Sequence, residues 1–141
     1  MKRLLNDRSG ATAMEFGIIG VMMFSMTFAI FDLGRYAITL HSLEMLAAES
    51  ARAEIICYSP QLSGLPATTC PGDPLSVATK QTLFPFLYLG GLAPTVTTTT
   101  TAPHVVQASQ SGFTMIMTCR VSPPCWPAAM NAPSVSTSLP F

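Results

Sequence analysis

Between Arg8 and Asp32 the chain carries one charged side chain, Glu15, and from Phe16 to Phe31 it runs sixteen residues, FGIIGVMMFSMTFAIF, with none. No other feature narrows the possible folds as much. A helix crossing a bilayer needs about 20 apolar residues at ~1.5 Å rise each. Counting from Ala11 supplies twenty-one, provided Glu15 is tolerated at one end. A charge at such a depth is rare and usually functional. A cleaved secretory signal would put its small residues after the apolar run. Here SGATA precedes the run and DLGRYA follows it. The reading is therefore a retained single span, 11–31.

The charges orient it. Lys2, Arg3 and Arg8 crowd the start against Asp7 alone, while the chain from Ala11 onward has four basic and six acidic residues. A basic leader before an apolar run keeps the N-terminus cytoplasmic and sends the rest outward. A net charge of zero without a basic face gives no case for nucleic acid.

The helical pattern outlasts the span. Leu40, Leu43, Ala47, Ala51 and Glu54 follow steps of three and four, as do Leu46, Glu49 and Ala53. This stripe suits packing against another helix or a small domain. Helix is expected over 11–57, ended by Pro60, with a length of ~70 Å. Beyond it, 58–141 is an outer domain. The segment Leu75–Leu89 reads equally as a short helix broken at Pro85 or as a loop with apolar anchors. The Thr-rich stretch Thr95–Pro103 reads as an edge strand or a mobile or glycosylated loop. In GFTMIMTCRV the side chains of Phe113, Met115, Met117 and Cys119 alternate with Thr114, Ile116, Thr118 and Arg120, which predicts the best strand. The proline-rich remainder is expected to be an irregular tail. The fold class is α+β: a long helix carrying a small, loop-rich, disulfide-tied module with a short antiparallel sheet.

All four cysteines, Cys57, Cys70, Cys119 and Cys125, follow the span, as disulfides in an oxidising compartment would. Short loops favour Cys57–Cys70 with Cys119–Cys125. Crossed pairs would tie the helix end to the late strand. Intervals of twelve, forty-eight and five residues, with no Cys-x-x-Cys, do not suit zinc. No metal, cofactor or catalytic site is expected. His104 and Asp73 lack the company that a nucleophile or paired-acid mechanism needs.

Local physics offers Glu15 a modest role. Thr12-Ala-Met-Glu15 fits a capping box, in which the Thr12 hydroxyl accepts from the N–H at 15 and Glu15 reaches back to the N–H at 12. Asp32 and Arg35, three apart, form an ion pair worth ~0.2–0.5 kcal/mol on an exposed helix.

The order GATAMEF, apolar run, DLGRY, LAAESARAE resembles TadE-like pseudopilins of the Tad (Flp) branch of type IV pili. The resemblance covers about residues 9–57. It implies that prepilin peptidase cuts between Gly10 and Ala11, releasing a leader 1–10, and that Glu15 becomes the fifth residue, with Phe16 completing the Glu-Phe pair. Glu15 would then neutralise the α-ammonium of Ala11 in an adjoining subunit or its own. Asp32, Gly34, Arg35 and Tyr36 would belong to a helix contact motif. Implied partners are prepilin peptidase, other pilin-like subunits, the Tad machinery and membrane lipid. The implied place is the bacterial inner membrane, single-pass, with the outer domain periplasmic, or the pilus itself. The competing reading is an uncleaved, membrane-anchored periplasmic binding module.

Overall fold

The computed structural model describes residues 9–62, 72–99, 103–116 and 127–139. It is α+β: a 54-residue helix, α1 (Ser9–Leu62), carries a three-stranded antiparallel sheet. At ~1.5 Å per residue α1 is ~81 Å long. It runs past the expected end at 57. Pro60 lacks only the N–H that would bond the carbonyl four residues back, and this close to the terminus one lost bond shortens the helix without breaking it earlier.

The chain then forms α2 (Val77–Leu83) and a 3-10 turn over Pro85–Gly91. Of the two readings of Leu75–Leu89, the helix interrupted at Pro85 is the one observed. Ser76 caps α2, its Oγ accepting the Thr79 N–H at 3.2 Å. The strands follow as β1 (Pro94–Thr98), β2 (Val105–Gln110) and β3 (Ser134–Ser138), in the order β1-β2-β3. The Thr-rich stretch is thus an edge strand over its first residues.

Register explains the composition. Val96 pairs with Ala108, and Ala108 with Val135, so one apolar row crosses the sheet. On the opposite face Thr95, Thr97, Gln107, Ser134, Ser136 and Ser138 are exposed. One dry and one wet face is the usual antiparallel arrangement. The dry face meets Leu43, Leu46, Ala47 and Ala51 of α1, and Phe84, Leu87 and Leu139 close the core. The stripe of threes and fours is therefore buried as expected, and its partner is the module of the same chain.

Two expectations about the late chain are corrected. Residues 113–116 are not a strand, although the alternation is real: Phe113 and Met115 are buried, Thr114 and Ile116 exposed. Gly112, at φ +82°, turns the chain out of the sheet. A Cβ there would come within 3.0 Å of the Leu92 side chain. The freed backbone donors find side chains: the N–H of Met115 meets Asn131 Oδ1 at 3.5 Å and that of Ile116 meets Asp32 Oδ1 at 3.0 Å. Met117, Thr118, Cys119 and Arg120 lie outside the described residues. The tail is also not irregular throughout, because SVSTS forms β3. Bonds from Gln110 N–H to the Pro133 carbonyl (3.0 Å) and from Leu139 N–H to the His104 carbonyl (2.8 Å) extend that pairing beyond both ends.

Candidate functional site

The first part of the site is the bare helix. Gly10, Ala11, Glu15 and Phe16 are all exposed, and the large apolar side chains from Met14 to Phe31 stay 50% or more exposed within their own chain. The hydroxyls inside the run are satisfied locally. Ser25 Oγ donates to the Met22 carbonyl at 2.8 Å and Thr27 Oγ1 to the Met23 carbonyl at 2.9 Å. That is how such residues are accommodated in an apolar medium. The helix is long and apolar enough to cross a membrane. It is already formed at Ser9, so Thr12 is an interior helical residue and not the N-cap that the expected capping box requires. Residues 1–8, most of the expected leader, lie outside the described residues.

The second part is a collar where the helix meets the module. Asp32 is fully buried. Its Oδ1 accepts the Ile116 N–H at 3.0 Å and lies 3.7 Å from Arg35 Nη1. The expected exposed ion pair is thus a buried carboxylate that ties together residues 84 positions apart. The Arg35 guanidinium stands over the Phe113 ring, 5.5 Å from its centroid, and Tyr36 tilts against the same ring at 6.2 Å. Three of the four motif residues therefore hold their own module. Gly34 is exposed, and a Cβ there would meet nothing. Beside the collar lies a cavity of about 100 Å³, lined by Arg35, Thr39, Leu87, Leu92, Gln110 and Phe113 among others. Gln110 Nε2 donates to the Leu87 carbonyl at 2.9 Å, and its Oε1 has no partner among the described residues.

Truncating Asp32 should loosen the collar. Asp32→Ala removes a charged acceptor and strands the Ile116 N–H, at a cost of about 1.5–3 kcal/mol. Asp32→Asn keeps an acceptor and should cost less. Urea titrations of the detergent-solubilised protein read both, and equal losses in the two variants would contradict the bond's assigned part.

At the far end, Glu54 is 3% exposed and its Oε2 has no partner among the described residues. Burial pushes this carboxyl above its ordinary value of 4.5, and the charge of His104 opposes that rise. His104 Nδ1 is 2.9 Å from the Thr99 carbonyl, and the ring packs on Tyr58 with centroids 5.3 Å apart. His104 is thus part of the helix–sheet junction, half-buried rather than a surface loop residue. Asp73 likewise pairs with Lys80, whose side chain is buried. That buried lysine gave no signal in the sequence, since its partner is seven residues away in a loop.

The sign for Glu54 follows. Its folded pKa exceeds its unfolded one, so its protonated form favours folding. That advantage is full below about pH 4.5 and is lost as pH rises through the folded pKa. Glu54→Gln should remove this loss, leaving the variant more resistant to urea than the parent at neutral pH and similar to it in acid. A constant difference across pH would show that Glu54 does not titrate in that window.

Cys57 is not a free thiol. Cys70, Cys119 and Cys125 lie outside the described residues, so the expected pairings are not placed by the structure.

Residues 10–52 match the family model described as TadE-like protein. Comparison with curated proteins and with solved structures gave no match. The matched segment spans the bare helix, the collar and the first sheet-covered turns, and over that segment the chain is similar to TadE-like proteins.

Proposed function

We propose that the chain is a pilin-like subunit of a Tad pilus or secretion machine, cut by prepilin peptidase between Gly10 and Ala11, that works by packing its bare helix with those of other subunits. The observation that carries this reading is the apolar helix 10–31, exposed along its length and headed by Gly10-Ala11 with Glu15 and Phe16. A large apolar surface of this kind calls for lipid or another helix. TadE-like kinship points to a Tad pilus component. On this reading the N-terminus is cytoplasmic and the module lies in the periplasm. The chain then works from the inner membrane or enters the fibre. Its cysteines pair in that oxidising space, by the local pairing or a crossed one. No catalytic role is assigned to it.

The test is the N-terminus of the protein isolated from cells with an active prepilin peptidase. Ala11 is the expected first residue, and Gly10→Leu should leave the leader attached, because the protease must bind extended backbone closely at that position. Met1 retained in the parent chain would leave the uncleaved binding module as the better reading, for which the collar cavity is the supporting feature. Peptide mapping without reduction checks the cysteines, and four free thiols would count against the periplasmic assignment.

A further inference from the structure

The collar sits at a definite depth. From Ala11 to Phe31 the helix has twenty-one residues, ~32 Å of rise, against a hydrocarbon layer of ~30 Å. Asp32 is therefore the first residue beyond the far boundary, in the headgroup layer of the outer leaflet. At that level the Asp32 carboxylate holds the Ile116 N–H at 3.0 Å, which brings the segment 113–116 down to the membrane surface. Ile116 is 62% exposed, and Leu33, next to Asp32 on the helix, is 44% exposed. Met115, its neighbour, is buried, so the apolar exposure is not forced by want of a core. Around it stand Arg35, 42% exposed, with Tyr36 and Phe113. A half-exposed arginine set among aromatic rings is the composition of a membrane interface.

We infer that the underside of the module is a lipid-contact surface. Ile116 and Leu33 lie against the upper acyl chains, and Arg35 takes the phosphate of an anionic phospholipid. This rests on the membrane-span reading above and adds to it. The module is seated on the bilayer at a fixed height instead of swinging free on the helix. Asp32 sets that height, because the loop is tied to the helix one residue above the span. Arg35 then adds an attraction that depends on lipid charge.

The experiment uses the full chain in vesicles of phosphatidylethanolamine with and without phosphatidylglycerol, carrying bromine on the acyl chains either near the glycerol, to read Ile116→Trp and Ile56→Trp, or near the chain ends, to read Met22→Trp. In a Trp126→Phe background, which removes the single native tryptophan, tryptophan is introduced by Met22→Trp, Ile116→Trp or Ile56→Trp. Met22 lies within the span, and Ile56 is 72% exposed and about 36 Å above Asp32 by helical rise. Strong quenching is expected from Met22→Trp, clear quenching with a blue shift from Ile116→Trp, and none from Ile56→Trp. Phosphatidylglycerol should deepen quenching in Ile116→Trp, and adding Arg35→Gln should abolish that lipid dependence. If Ile116→Trp behaves as Ile56→Trp does while Met22→Trp is quenched, the span stands and the lipid-contact surface is wrong. If Met22→Trp is unquenched, the membrane reading fails first and the surface with it. A lipid dependence unchanged by Arg35→Gln would overturn the assignment of the phosphate to Arg35.

Discussion

In Glu15→Gln, leader removal should proceed normally while assembly with pilin-like partners fails. Glu15 is exposed on a helix whose large apolar side chains from Met14 to Phe31 are 50% or more exposed, and on the membrane-span reading lipid or another subunit surrounds it. A lone carboxylate there is costly, and so is the α-ammonium that cleavage would create on Ala11. Brought together when helices pack, the two charges neutralise each other. Gln keeps the size and hydrogen-bonding capacity of the side chain but leaves the ammonium unpaired. Breaking a buried pair in this way costs about 3–5 kcal/mol, two to three and a half orders of magnitude in association. A capping residue would behave otherwise, since Gln also serves a capping box. The structure has already weakened that alternative, because Thr12 lies inside α1. Two assays on one strain suffice, a gel shift for the leader and co-purification of partners for assembly. Full assembly with the Gln variant would refute the pairing.

The long helix was legible because two strong signals follow one another along it. A charge-free run and a three–four stripe both need only local sequence, and both survived folding, the stripe as Leu43, Leu46, Ala47, Ala51 and Glu54. What failed depended on partners distant in sequence. Alternation in GFTMI predicted a strand, yet alternation reports burial on two sides and not a ladder. Gly112 and the carboxylate of Asp32 decided that the N–H groups would go to side chains. SVSTS holds one apolar residue, so its strand comes from the pairing of Val135 with Ala108 and could not be seen alone. Asp32 was read as an exposed i,i+3 ion pair for the same reason: nothing near it in sequence announces Ile116. The apolar anchor could be read from its residues, while the Gly10–Ala11 cut came only from family likeness.

Leu46→Ala should unfold the module without removing the anchor. Leu46 is fully buried, with Leu43 one turn below and Ala47 beside it, and these residues fill the space between α1 and the row Val96–Ala108–Val135. Deleting such a side chain costs about 2–5 kcal/mol, the higher end where the walls cannot collapse. A continuous helix over a three-stranded sheet has little freedom to close the gap. Against a typical domain stability of ~5–15 kcal/mol, the loss is large for so small a core. Met45→Ala, one residue away and 52% exposed, should shift stability by about 0.5 kcal/mol or less. The span is stabilised by lipid and its own hydrogen bonds, so it should stay helical and membrane-bound in both variants. Urea melts followed by hydrogen exchange separate the two halves. In Leu46→Ala the amides of β2 should exchange early while those of Gly17–Phe31 stay protected. The Ile116 amide should exchange with the sheet, because its bond to Asp32 exists only while the module sits on α1. Equal urea midpoints for Leu46→Ala and Met45→Ala would mean that the sheet does not depend on this face of the helix.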